Sequence, residues 1–491
     1  MKFEPLNPRL ESQLERFFDA PSSAKKDAQT APEAYVIGTS SLLSFAFFIS
    51  HSHGEKTHSH PHVVIVSDAS AANKLANYIE FFDPHRSCYI LPEFDVSPYS
   101  GVYPSPKLIR ERLFFLSRAQ NPKKGEIFIA SYLGMQQKTI PVDVLIEANK
   151  WFKKGAFLPE NLSEYLIDLG YESAPMVEDV GQFAIRGGIV DIFSPAEKWP
   201  VRIELFGEQI ESLRFFSPST LKSQAEIDSF ILSPAKEILF LESEYEHLVS
   251  RFKNTTKERP LPQEEIEDVC RSLVQKNYFP GIEFLLPCFY QNPALPLDHF
   301  EVPFKLWILD PIQIQTTSDS QLSDLKEEYK NSTNSLIRPE PEAYFNPAWI
   351  QSTSESSEAL LGFHEKLVNR KIYFSNIDFS NKAVENSMDN VERIDYRSFT
   401  TQEFSNLSLA ATPGTEAWNV AISNKLKQWK SDHYKIFVAI RNLAQAERLK
   451  HFLDQIHFQF GKVDNDDYRW DTWSHEQDNN AHLIHMIPRY L

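Results

Sequence analysis

Four short apolar runs, AYVI, HVVIV, CYIL and IFIA, lie between residues 34 and 130, and helix-forming stretches separate them. A strand that is apolar on both faces must be covered on both, and buried strands alternating with helices imply a parallel sheet. The predicted order over 35–133 is strand, helix (41–50), strand, helix (ASAANKLANYIEFF), strand, helix (SPKLIRERLFFLSRAQ), strand. With 491 residues the chain exceeds one ordinary core, so three or four domains are expected. Beyond the first α/β unit (1–141) the text changes to a small α+β domain on an antiparallel meander (142–223). Residues 224–345 return to α/β character, with KLWILD as a buried strand, and 346–491 read as a further α/β domain containing KIYFSNID, YKIFVAI and HLIHMIP. Residues 313–321 and 331–356, rich in Pro, Ser and Asn, read as loops.

Composition narrows the function. The net charge of −17 opposes a broad nucleic-acid footprint, because binding by counterion release needs a surface rich in Lys and Arg. Three scattered cysteines, Cys88, Cys270 and Cys288, argue against a disulfide framework or a zinc site. No apolar run approaches a membrane span, and the N-terminus has no signal-peptide core, so a cytoplasmic location is expected.

Sites for chemistry are scarce. VIGTSSLLSF (36–45) places Gly38 where a phosphate-binding loop would begin, but no lysine follows to reach the phosphates. Asp310 ends a strand as a metal-binding acid might, yet Pro311 follows it. Five histidines between His51 and His62 could ligate a metal, but no carboxylate or thiolate pattern fixes a geometry, and a solvated loop is the plainer reading. No hydrolytic triad or nucleophile motif stands out. The expectation is no catalytic residue, no metal and no cofactor.

The informative stretch is GQFAIRGGIVDIFSPAEKWPVRIELFGEQIESLRFF, residues 181–216. Read as one strand, 183–193 alternates Phe183, Ile185, Gly187, Ile189, Asp191 and Phe193 against Ala184, Arg186, Gly188, Val190 and Ile192. In the following strand Arg202, Glu204 and Phe206 share a face. These residues can be an internal ion-pair ladder with an aromatic rim. They can also be a docking surface, since arginine and aromatic side chains concentrate binding energy at interfaces.

This stretch resembles the RGG-x-x-D-[IV]-[FY] … R-[IVL]-[ED]-[LF]-F pattern of the bacterial transcription-repair coupling factors (the Mfd family), and the excision-repair protein UvrB shares a related module. LPEFDVSPYSGVYPSPKLIRERL, PGIEFLLPCFY and NLAQAERLKHFL are similar to further segments of that family. The resemblance implies a degenerate RecA/helicase-like ATPase lobe (1–141 and 224–345) split by an inserted UvrA-binding domain (142–223). Motif position puts the UvrA contacts on Arg186, Arg202 and Phe206, with Glu204 between the latter two. Ala184 stands where UvrB-type sequences carry a basic residue, so one UvrB-type contact is expected to be absent. The resemblance also implies that ATP, magnesium, RNA polymerase and DNA are engaged by motor and polymerase-binding domains that do not follow here. The chain then reads as a non-enzymatic N-terminal fragment that recruits UvrA. The alternatives are a UvrB-type nucleotide-hydrolysing repair enzyme and a scaffold in which 181–216 only braces a sheet.

Overall fold

A computed structural model of the chain describes residues 60–220, 222–240, 263–331 and 339–345, together with the shorter stretches 33–37, 41–51, 242–256, 368–375, 392–395, 415–431, 436–440, 443–456, 458, 460–462 and 484–488. The four apolar runs form strands β1 (Glu33–Ile37), β2 (His62–Val66), β3 (Cys88–Leu91) and β4 (Ile127–Ser131). Helices α1 (Leu42–His51), α2 (Ala69–Phe82) and α3 (Pro106–Gln120) connect them. After β4 the chain leaves this sheet and builds β5 (Lys150–Lys153), β6 (Glu172–Ser173), β7 (Gln182–Arg186), β8 (Ile189–Ile192), β9 (Val201–Phe206), β10 (Gln209–Phe216), β11 (Ser223–Glu226) and β12 (Ser229–Leu232). It returns with β13 (Phe304–Leu309), β14 (Val368–Ser375) and β15 (Glu392–Asp395). The first sheet therefore has seven strands in the order β15-β1-β14-β13-β2-β4-β3, all parallel. A six-stranded sheet, β11-β10-β9-β8-β7-β6, carries the meander, and β5 pairs with β12 beside it. A separate three-stranded parallel sheet forms from β16 (Ile436–Ile440), β17 (Phe460–Lys462) and β18 (Ile484–Pro488).

Alternation along the buried parallel strands divides the core. Val64, Val66, Ile129 and Trp307 face α1 and α2, while Val63, Ile65, Phe128 and Leu306 face the opposite side. That second cluster is continuous with α3 and with Phe183, Ile192, Ile203 and Leu213 of the meander, so sheet and meander share apolar core. Strand β14, which contains KIYFS from the region 346–491, lies between β13 and β1, with Ile372 and Phe374 buried against the α1–α2 side. The run 313–321 is not a loop. It belongs to a helix spanning Pro311–Asn331, which Asp310 opens by accepting from the Gln313 amide at 3.3 Å and which buries Ile314 and Ser318. The initiating proline and the cap outweigh the local Ser/Thr text. Among the described residues no helix is long and apolar enough to cross a membrane.

Helix α3 follows from its own text: Ser105 accepts from the Leu108 amide at 3.2 Å, Pro106 occupies the first turn, and Leu108, Ile109, Leu113 and Leu116 make the buried stripe. Arg112 sits on that same buried face, fully enclosed, with Glu237 enclosed against it at 2.6 Å. Arg112 also donates to the Pro92 carbonyl at 3.0 Å and to Gln137 Oε1 at 2.9 Å, and its guanidinium lies 4.7 Å from the Phe94 ring centre. One side chain thus joins the loops after β3 and β4 to the segment that re-emerges after β12. Removing one partner of such a pair strands a buried charge, at a cost of about 3–5 kcal/mol, whereas replacing both by apolar groups is far milder. Glu237→Leu is expected to lower the urea midpoint by that equivalent, and Arg112→Met with Glu237→Leu to recover most of the loss. A single variant as stable as wild type contradicts the tie.

Candidate protein-docking face on the meander

Local sequence explains how the meander turns. Gly187 takes φ +59° in the two-residue loop Gly187–Gly188, and Gly207 takes φ +65° in Gly207–Glu208. Tight hairpin loops need this left-handed conformation at the first position, and glycine supplies it without steric penalty. A Cβ on Gly188 would stand 3.2 Å from the Leu205 carbonyl oxygen, whose strand lies directly alongside. The run 182–193 is therefore two strands, not one. The reversal changes side-chain parity: Arg186 and Asp191, on opposite faces of a continuous strand, come to the same face, while Phe183 and Asp191 separate. On β10, Ile210 and Leu213 are both buried although three residues apart, and a register shift between Ile210 and Ser212 makes this possible.

The inner face, with Phe183, Val190, Ile203 and Leu213, packs into the shared core. On the outer face the register sets Asp191 opposite Ala184 on one side and Arg202 on the other, Glu204 opposite Ser212, and Arg202 opposite Arg214. The like-charged pair is resolved sideways. Asp191, whose side chain is only 1% exposed, accepts from Arg202 Nε at 2.7 Å, Arg202 Nη2 at 2.8 Å and Arg186 Nη2 at 2.6 Å. Glu204 Oε2 accepts from Arg214 Nη2 and from Ser212 Oγ, both at 2.7 Å. Arg202 also lies over the buried Phe216 ring, 4.8 Å from its centre, and hydrogen bonding to Asp191 raises its pKa still further. Within this network three arginines meet two carboxylates, and Glu226 of β11, opposite Arg214 in the register, brings a third acid to the same face.

Exposure sorts the residues singled out from the sequence. Phe206 stands 79% exposed at the end of β9. The Arg186 side chain is 48% exposed, Glu204 is half-buried, and Arg202, at 20%, is mostly occupied within the sheet. The lower half of the outer face is covered, with Val177 and Val180 packing against Ala184, Phe193 and Phe216. The upper half is open around both tight turns, with Arg186, Ile189, Glu204 and Phe206 together. Asp191, Ser212, Arg214 and Ile189 belong to this arrangement and were not singled out from the sequence as candidate site residues. The Gly-Gly pair was the available signal for the hairpin that brings Asp191 in. Ala184 is buried beneath this network.

The other candidates give less. Gly38 and residues 52–59 of the histidine-rich stretch lie outside the described residues. His62 is buried in β2 and its Nδ1 accepts from Trp307 Nε1 at 2.9 Å, so it serves the sheet core. Among the described residues no group of three or more His, Cys, Asp or Glu side chains could hold a metal ion. Asp310 is the residue that opens the helix over Pro311–Asn331.

Residues 152–238, which contain this face, match the family described as the UvrB interaction domain. Over 408 residues the chain is 25% identical to a transcription-repair-coupling factor of Myxococcus xanthus, covering 80% of this chain and 32% of that protein. It is 27% identical over 278 residues to the corresponding factor of Haemophilus influenzae and 26% identical over 287 residues to that of Bacillus subtilis, in each case covering 56% of this chain and 24% of the relative. The chain thus spans about a third or less of the length of these curated relatives. Residues 152–238 are thus similar to the UvrB interaction domain, and the chain is similar, over 56% to 80% of its residues in these alignments, to the transcription-repair-coupling factors.

Proposed function

We propose that this chain recruits the excision-repair protein UvrA, and that the open half of the meander's outer face is where UvrA docks. The observation that carries the reading is an exposed phenylalanine and a half-exposed arginine at the turn end of one face of a hydrogen-bonded sheet, inside the segment that matches the UvrB interaction domain. Arginine beside an aromatic ring is the residue combination in which interface energy concentrates. In this arrangement Phe206 supplies apolar area and Arg186 offers the unused part of its donor fork to a partner carboxylate. Glu204 borders them, and Arg202 acts chiefly by holding Asp191 and the strand order.

In the same reading the seven-stranded sheet is a degenerate RecA-like lobe, because the chain leaves it after β4 and re-enters at β13 around the docking domain. The segment Gly38-Thr39-Ser40-Ser41 after β1 lacks the lysine that a UvrB-type nucleotide-hydrolysing enzyme requires, which weighs against that alternative. ATP, magnesium, RNA polymerase and DNA are assigned to parts of the coupling factors beyond the stretch this chain covers. There an ATP-driven DNA translocase would release polymerase stalled at lesions, while these residues hand the site to excision repair.

Arg186→Ala and Phe206→Ala are expected to weaken UvrA binding at least tenfold by calorimetry; Phe206→Ala leaves the melting temperature unchanged, whereas Arg186→Ala, which removes one of the three hydrogen bonds on Asp191, lowers it by less than Arg202→Ala does. Arg202→Ala removes two of the three hydrogen bonds on a buried carboxylate, so it is expected to lose binding and also about 1–3 kcal/mol of stability. Variants that hold UvrA as tightly as wild type return 181–216 to the role of sheet bracing. With magnesium and micromolar ATP the chain is expected to give no binding heat and no phosphate release. Stoichiometric binding favours the UvrB-type alternative.

A further inference from the structure

Building on the docking reading above, we propose that Asp191 is the positioning residue of the face: it sets the geometry of Arg186 and Arg202 before UvrA arrives and makes no contact with UvrA itself. Its carboxylate is withdrawn from solvent, so a partner cannot reach it. Both oxygens are nevertheless committed, Oδ1 to Arg202 and Oδ2 to Arg202 and Arg186 together. A guanidinium carries five N–H donors in a rigid plane. Arg186 commits one terminal nitrogen to Asp191 and keeps half its side chain in solvent, so the anchored plane presents its remaining donors at a fixed angle.

Arg202 is held twice, by a two-point bond to Asp191 and by the Phe216 ring beneath it. The buried Ala184 across the hairpin contributes no polar group of its own to compete for the carboxylate. Long cationic side chains lose rotamer freedom when an interface immobilises them, and a side chain ordered in advance loses less at docking. Asp191 orders two of them. It also cancels one of their two charges, so the three side chains carry one net positive charge between them, and the face binds through fit more than through long-range steering.

The test uses the full chain, uniformly deuterated and labelled with 15N-arginine, with UvrA as titrant. Asp191→Asn keeps the shape and removes the charge. It is expected to weaken UvrA binding about tenfold and, in the partner-free protein, to turn the Arg186 and Arg202 Nε–Hε resonances from ordered and slowly exchanging to averaged. In an Arg186→Ala background the same substitution is expected to cost clearly less, because part of what it disorders is already gone. If Asp191→Asn does not fold, Asp191→Glu keeps the charge one methylene out. It is expected to shift both arginine resonances and to weaken binding at least threefold. Wild-type affinity in a folded Asp191→Asn or Asp191→Glu variant overturns this inference and leaves the docking reading standing. Failure of the wild-type chain to bind UvrA overturns the docking reading, and this inference with it.

Discussion

A single buried carboxylate, Asp191, organises the outer face of the meander. It lies where two hairpins meet, takes three charge-assisted hydrogen bonds from Arg186 and Arg202, and is almost wholly out of solvent. A buried charge of this kind is tolerable only when its lone pairs are occupied, so the strand register that brings both arginines to it is strongly selected over any one-residue slip. The same register places Glu204 against Ser212 and Arg214 and leaves Phe206 at the free end of β9. The exposed features of the face are what remains after the internal network has been satisfied.

That network sits on a second constraint. The insertion between β4 and β13 does not hang from flexible linkers, because its inner face shares the apolar cluster that covers one side of the seven-stranded sheet. The Arg112–Glu237 pair closes the junction where the chain re-emerges, and Gln137 and the Pro92 carbonyl both accept from Arg112 Nη1. The meander is therefore packed onto the seven-stranded sheet through a common core. If UvrA docks as proposed, this packing holds it at a defined angle to the seven-stranded sheet.

Much of this was legible in the text of the chain, and the parts that were not have physical reasons. Buried parallel strands announce themselves as continuous apolar runs, so β1 to β4 and KLWILD were readable. So was the loss of a phosphate-binding lysine after Gly38. The sequence singled out Arg186, Arg202, Glu204 and Phe206, but not their unequal exposure, because exposure depends on which strand lies across from which. The Gly187–Gly188 reversal was read through as one strand, since apolar-polar alternation continues on both sides of it. That error put Arg186 and Asp191 on opposite faces and hid the ion-pair centre. β14 was read with the C-terminal text, although pairing places it at the middle of the first sheet between β13 and β1. Sequence distance carries no record of such long-range parallel pairing.

The most direct test of the account is a hydrogen-exchange footprint of UvrA on the intact chain. If the open half of the outer face is the docking surface, UvrA slows exchange of amides in 185–190 and 204–209, around the two tight turns, and leaves α1, α2 and the edge strand β3 unchanged. Protection concentrated on the seven-stranded sheet or on the stretch 416–462, with the two turns exchanging as in the free chain, contradicts it.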